Sequence, residues 1–359
     1  RSSVRVRPGP RRERMTRVSH VSHISHTGHM TSQSTPEQTE YVVPHAGSRL
    51  HDWLAGPADG PLIVLSHGAS MDHRMFDEQL GPLVDAGYRV LTWDIRGHGR
   101  SQPIGRVPID VADMTGDLLA VLDHLDITGP ICVGGQSLGG YIAQDLVHRE
   151  PRRVAAMVII GSTCLTLPIA RWEQWALRSS VWWFVPWPWP HLTRTIARST
   201  ALRPQVRAYA ETAVGTMSKS DFIQVWRGLT RALRPEPGSR IDVPLLLTHG
   251  DQDRTGNIAR TTPAWAARDP QCRYEVVPDA SHNANQDNPE HFNRILLDFL
   301  VTHYPAGSAW PRERPCRAEY HRRCAARDAR RAGRDAGYAR VAAVGARPRP
   351  RTTPTAPGR

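Results

Sequence analysis

Ile131-Cys132-Val133-Gly134-Gly135-Gln136-Ser137-Leu138-Gly139-Gly140 decides how this chain folds. Its opening apolar run reads as a strand over residues 131–134. Gly135-Gln136-Ser137-Leu138-Gly139 then fits G-x-S-x-G, which after a strand is the signature of a nucleophile elbow. The motif implies a shape. The chain must turn sharply from strand to helix, with Ser137 at the apex in a strained backbone conformation. The residues two before and two after the serine must be small, or their side chains would collide. Both are glycine here, and Gly140 adds room. Residues 141–148 read as the helix that follows, which places Ser137 at a positive helix end.

Outward from the elbow, strands and helices alternate. Leu62-Ile63-Val64-Leu65 is a continuous apolar run, as a buried parallel strand requires. Residues 89–93, 154–160, 244–248 and 274–277 read as further strands. Helical patterns cover 77–86, 109–125 and 144–148. The second of these sets Val111, Met114, Leu118, Leu119, Val121, Leu122 and Leu125 close to a 3.6-residue period. Tyr41-Val42-Val43 and residues 50–54 flank the turn His45-Ala46-Gly47-Ser48, which predicts an opening hairpin. The whole predicts an α/β fold with a mostly parallel, doubly wound sheet.

Residues 166–238 break the alternation. They hold Trp172, Trp175, Trp182, Trp183, Trp187, Trp189 and Trp226, seven of the eleven tryptophans of the chain. Prolines at 186, 188 and 190 interrupt any long helix. An insertion this long between two strands reads as a helical cap. Its tryptophans either pack the cap on the core or form an aromatic wall over an apolar substrate, and the two roles are compatible.

The net charge of +12 over 359 residues is confined to the ends. Residues 1–40 hold seven Arg against three Glu, and residues 305–359 hold fourteen Arg against four acids. Residues 41–304 are left near neutral. The expected organisation is a disordered basic, His-rich extension over 1–40, a folded domain over 41–302, and a disordered Arg-rich tail over 303–359. A short frayed helix near 318–332 is the alternative for part of that tail. His20, His23, His26 and His29 recur every three residues and could hold a metal weakly; a plain polar tract is the simpler reading. The tail's charge could touch nucleic acid, but nothing predicts a specific nucleic-acid partner. Met15 and Met30 are alternative starts. The N-terminal stretch lacks the apolar segment of a secretory signal. No stretch reaches the roughly 18 apolar residues of a membrane span, so no membrane partner is expected. Five scattered cysteines (Cys132, Cys164, Cys272, Cys316, Cys324) imply no disulfide framework, which suits a reducing, cytoplasmic setting.

A serine hydroxyl needs a base to take its proton, and the base needs a carboxylate to hold it. Both occur at predicted strand ends, in His249-Gly250-Asp251-Gln252-Asp253 and in Pro278-Asp279-Ala280-Ser281-His282. Ser66-His67-Gly68-Ala69 follows the first core strand. Asp94-Ile95-Arg96-Gly97-His98-Gly99-Arg100-Ser101 follows the next. With the elbow and the order Ser, Asp, His, these motifs make residues 41–302 resemble the α/β-hydrolase superfamily, in its cap-bearing esterase, lactonase and haloperoxidase-like branch. Residues 66–163 look most like 3-oxoadipate enol-lactonase-like hydrolases.

The resemblance implies Ser137 as nucleophile, His282 as general base and then acid, and Asp253 as the carboxylate. Asp251 is the alternative acid, with turn capping as its other role. Asp279 reads as a turn residue. His67, His98 and His249 compete with His282 as base, although the superfamily uses the first two positions structurally. The N–H groups of Ala69 and Leu138 are the expected oxyanion hole. Ser70, Met71, Trp172 and Trp175 are expected around the substrate. A serine at the elbow, where dehalogenases and epoxide hydrolases of this fold carry Asp, points to acyl chemistry. Neither a metal-ligand spacing nor a phosphate-binding loop is present, and the chemistry calls for no cofactor. The expected reaction is hydrolysis of a carboxylic ester or lactone through an acyl-enzyme, on a small substrate of apolar or aromatic character. Activity is expected to fall below about pH 6 as the base is protonated. Perhydrolysis, C–C bond hydrolysis and acyl transfer are alternatives on the same triad.

Overall fold

Ala46 and Gly47 both have positive φ, 48° and 83°. That geometry closes a two-residue turn between β1 (Gln38–His45) and β2 (Ser48–Ala55). A computed structural model describes residues 36–307. The His tract, the alternative starts, Cys316, Cys324 and the 318–332 segment lie outside the described residues. β1 begins inside the stretch expected to be unstructured, because Gln38, Thr39 and Glu40 pair with Ala55, Leu54 and Trp53.

The remaining strands are β3 (Leu62–Ser66), β4 (Arg89–Trp93), β5 (Ile131–Gln136), β6 (Val154–Ile160), β7 (Leu245–Gly250) and β8 (Cys272–Val277). They form one sheet in the order β1-β2-β4-β3-β5-β6-β7-β8. The β1–β2 and β2–β4 pairs are antiparallel and every other pair is parallel. β3 and β5 are buried along their whole length, as strands covered on both faces must be.

Helices cover both faces. α1 (Asp77–Asp85) contributes Leu80 and Leu83 to one apolar layer. α2 (Val111–His124) and α3 (Leu138–Arg149) contribute to the other. α2 starts two residues later than its periodicity suggests, because Asp110 caps it. Asp110 accepts from the Asp113 N–H at 2.9 Å, and Asp113 accepts from the Asp110 N–H at 3.1 Å. α3 starts three residues earlier than expected, directly after Ser137. The glycines at 139 and 140, which lower helix propensity, are inside it because the elbow needs their small size more than the helix needs side chains.

Four helices stand between β6 and β7: α4 (Arg171–Phe184), α5 (Trp189–Thr200), α6 (Pro204–Gly215) and α7 (Lys219–Arg231). Each proline of the 186–190 run falls outside a helix interior, in the α4–α5 connection or the first turn of α5. The only lysine of the chain, Lys219, closes that connection by donating to the carbonyls of Val185 and Trp187 at 2.6 and 2.7 Å. α8 (Ile258–Arg268) follows β7. The short α9 (Ala284–Asp287) and α10 (Pro289–His303) end the domain, and Tyr304 is buried with its hydroxyl on the Leu62 carbonyl at 3.1 Å. Among the described residues no helix is long and apolar enough to cross a membrane.

Candidate active site

The loops after β3, β5, β6, β7 and β8 all leave the same edge of the sheet, the carboxyl edge where α/β folds build their sites. Ser137 occupies the β5–α3 turn with φ 50° and ψ −107°. A non-glycine residue there costs about 1–3 kcal/mol and persists only when its surroundings hold it. They do so from three sides. The Ser137 N–H donates to Ile160 O at 2.9 Å, and its carbonyl accepts from the Tyr141 N–H and the Ser162 hydroxyl, at 3.2 and 2.8 Å.

The glycines around it are obligatory. A Cβ on Gly135 would stand 2.1 Å from the Gly139 carbonyl carbon, and one on Gly139 would stand 1.9 Å from Ser66 O. Both obstacles are backbone. The side chain of Gln136 turns the other way and donates to the His282 carbonyl at 3.0 Å, tying the elbow to the loop after β8. G-x-S-x-G leaves this position open, so the pattern carries no signal for that link.

His282 is buried, with Nδ1 3.0 Å from Asp253 Oδ2. Burial alone would raise the Asp253 pKa. The facing imidazole and the Thr255 N–H, which donates to Oδ1 at 2.8 Å, outweigh it and hold the carboxyl below its ordinary range. The other histidines are engaged elsewhere. His67 Nδ1 meets Gly68 O at 2.8 Å while Nε2 accepts from the Ile95 N–H at 2.9 Å, and burial lowers its pKa. His98 is fully buried, bonded to the carbonyls of Ile95 and Arg96, with its pKa pushed down to about 3 by burial and then by His67. His249 bridges Gly250 O and the Tyr274 hydroxyl, each at 2.7 Å. Asp251 caps the β8 turn, accepting from the Ala280 N–H at 3.0 Å, and Asp279 sits in that turn with φ 52°.

Ser137, His282, Ala69 and Ser70 line one cavity of about 680 Å³. Tyr141, Ser162, Thr163, Asn257 and Arg260 contribute its polar wall. Leu177, Phe184, Leu192, Ile196, Phe222, Trp226, Leu229 and Leu233 supply most of its apolar lining, and Glu173, Thr195, Ser199, Thr200 and Thr255 add further polar groups. Leu138 opens α3 beside it, buried, at the helix end whose N–H groups lack helical acceptors. Trp172 reaches the cavity. Met71 does not line it: the side chain is buried in the layer with Met75 and Phe76, where the Asn283 amide approaches its sulfur at 3.8 Å. Nor does Trp175, which is 72% exposed.

The inserted helices also hold the His282 loop, a role absent from the sequence reading. Asp287 accepts from the N–H groups of Leu202, Arg203 and Ser281, and the Asn283 N–H donates to Thr200 O at 2.8 Å. The Asp94 loop is structural too. Its buried carboxylate accepts from the His73 backbone N–H at 2.8 Å and the Arg100 N–H at 2.7 Å. Arg96, two residues on, pairs with buried Asp117.

A family model described as serine aminopeptidase, S33, matches residues 59–288. The chain belongs to this family of α/β-hydrolases. Over 275 residues this α/β-hydrolase is 26% identical to a non-heme haloperoxidase of Rhodococcus erythropolis, covering 69% of the chain and 94% of that protein. It is 27% identical over 267 residues to 3-oxoadipate enol-lactonase 1 of Acinetobacter baylyi, covering 71% and 94%. Among solved structures, the enol-lactonase of Burkholderia xenovorans superposes with a TM-score of 0.62 at 26% identity, covering 71% of this chain and 97% of that one.

Proposed function

We propose that this α/β-hydrolase cleaves a carboxylic ester or lactone, with Ser137 as nucleophile, His282 as base and Asp253 as the acid that orients it. The observation that carries the reading is the meeting of a positive-φ serine and a buried His–Asp pair at one cavity. His282 Nε2 takes the Ser137 proton as Oγ attacks the carbonyl carbon. Ionised Asp253 stabilises the imidazolium through Nδ1–H. The N–H groups of Ala69 and Leu138 receive the developing oxyanion. Collapse breaks the bond to the leaving alkoxide, which His282 protonates. In a lactone that alkoxide stays joined to the acyl group. Water, deprotonated by His282, then attacks the acyl-enzyme and releases the acid.

Helices α4–α7 act as a cap in this reading. Their apolar lining favours an apolar or aromatic substrate, with Ser70 and Trp172 among its contacts. The enol-lactonase relative supports the lactone arm. The haloperoxidase relative supports a second reading, in which hydrogen peroxide replaces water and the acyl-enzyme yields a peracid.

The test is hydrolysis of p-nitrophenyl esters from acetate to octanoate by wild type and Ser137→Ala. Turnover in the wild type that drops by about 10⁴-fold or more in the variant is expected. Turnover that survives the substitution overturns the assignment. Bromide oxidation in acetate buffer with peroxide, absent in the variant, identifies the peracid reading.

A further inference from the structure

α4 is apolar on two opposite sides. Val181 is buried and Leu177 and Phe184 pack inward against the core. The outer stripe carries Trp172, Trp175, Trp182 and Trp183. At about 100° per residue these four fall within about 100° of one another on the helix. They are 70%, 72%, 70% and 74% exposed. A surface helix ordinarily turns its polar face to water. Here the outer stripe is the more aromatic one, and a contiguous exposed patch of this kind marks an interaction surface.

The charge beside the stripe says what covers it. Arg171 and Arg178 flank it on α4, both exposed. α4 holds a single acid, Glu173, which is taken up by Arg260. Between α4 and α7 lies a cleft of about 440 Å³ whose walls are Arg178, Val181, Trp182, Arg227, Thr230 and Arg231. Three arginines line it beside an indole, and no carboxylate lines the cleft. Guanidinium forks match phosphate oxygens, and indoles favour the boundary between headgroups and acyl chains. A second copy of the chain would set this cationic stripe against itself with no acid to neutralise it.

We propose that the outer face of α4 docks on an anionic phospholipid surface, with the four tryptophans at the headgroup boundary and the arginine cleft holding a lipid phosphate. An interfacial helix needs no membrane span, so the short helices of this chain are no obstacle, although the sequence alone suggested no membrane partner. Docking would bring Trp172, which also lines the cavity, to the lipid. The docking does not depend on the chemistry assigned to Ser137.

The experiment uses the full chain with vesicles of phosphatidylcholine alone or with phosphatidylglycerol. The Arg-rich C-terminal residues can hold anionic vesicles by charge, so the readout is quenching of tryptophan fluorescence by lipids brominated on the acyl chain, alongside co-sedimentation. Wild type is expected to bind the anionic vesicles and to be quenched. The triple variant W175S/W182S/W183S, with unchanged circular dichroism, is expected to lose the quenching and bind roughly tenfold or more weakly. Arg178→Glu with Arg231→Glu is expected to remove the extra quenching that phosphatidylglycerol gives over phosphatidylcholine, whatever binding the C-terminal arginines retain. Three results overturn the proposal: no vesicle binding by wild type, equal binding and quenching by the triple variant, or a wild-type dimer that the triple variant splits without any vesicle binding.

Discussion

His282 Nδ1 lies 3.0 Å from Asp253 Oδ2, across 29 residues of sequence and within a buried site. This imidazole and Thr255, against the cost of burial, hold the Asp253 carboxyl below its ordinary pKa. In the proposed mechanism it holds the Nδ1–H tautomer and leaves Nε2 for Ser137. Asp253→Asn keeps the shape and offers Nδ1 the wrong partner. The expected outcome is a fall in kcat of roughly 10³–10⁴-fold with KM changed by less than a few-fold, measured on the best p-nitrophenyl ester. A loss confined to tenfold would remove Asp253 from the triad.

Gly135→Ala tests the elbow itself. The added methyl would meet the Gly139 backbone at 2.1 Å, and neither partner is a side chain that can rotate away. The turn must open, which displaces Ser137 from His282. Expected is loss of nearly all ester turnover together with a lower Tm in thermal unfolding. A variant with wild-type kcat would mean that the turn relaxes without consequence.

Arg96 and Asp117 form an ion pair in which both side chains are almost wholly buried. Removing one member leaves the other charged in the interior, at a typical cost of about 3–5 kcal/mol. Arg96→Met should lower Tm markedly. Arg96→Met combined with Asp117→Leu should recover part of that loss. Equal melting of the single and double variants would show that the pair's charge is irrelevant to stability.

Asp52 lies in β2 at 0% exposure, and neither carboxyl oxygen has a hydrogen-bond partner among the described residues. Burial first, and the charge of Glu40 second, push its pKa from 3.8 to about 7. The folded chain thus holds this proton more tightly than the unfolded one. Its stabilising contribution is complete below about pH 4 and is lost as pH rises through about 7. Asp52→Asn should raise Tm by a few degrees at pH 8 and by much less at pH 4. Differential scanning fluorimetry at the two values checks this; a pH-independent difference would refute it.

Leu177 faces the cavity from α4. Leu177→Trp should shorten the cavity and shift preference toward short acyl chains. The octanoate-to-acetate ratio of kcat/KM is expected to fall about tenfold or more. An unchanged ratio would place the acyl chain elsewhere.

Much of this architecture is legible locally. The apolar runs of 62–65, 131–133 and 154–160 mark strands because parallel strands are buried on both faces. The α2 stripe marks a helix because its period is 3.6. Gly135 and Gly139 announce the elbow because no other residue fits. Helix starts were less legible, since the Asp110 cap and the elbow override periodicity by a few residues.

What the sequence by itself determined is therefore the succession of strands with the first three helices, the family and the identity of the candidate catalytic residues, all of which follow from short patterns with their own geometry. Only the tertiary structure decided which partners those residues meet. His67, His98, His249 and His282 are equal as letters, and they differ in the atoms packed on their ring nitrogens. The same holds for the tryptophans. Trp187 and Trp226 line the cavity, Trp172 reaches it while staying 70% exposed on the outer stripe of α4, and Trp175, Trp182 and Trp183 face outward. α4 is apolar on both sides, so its own periodicity cannot say which side turns inward. That choice is made by contacts with α7, where Phe184 meets Phe222 and Trp226, from residues far away in the chain.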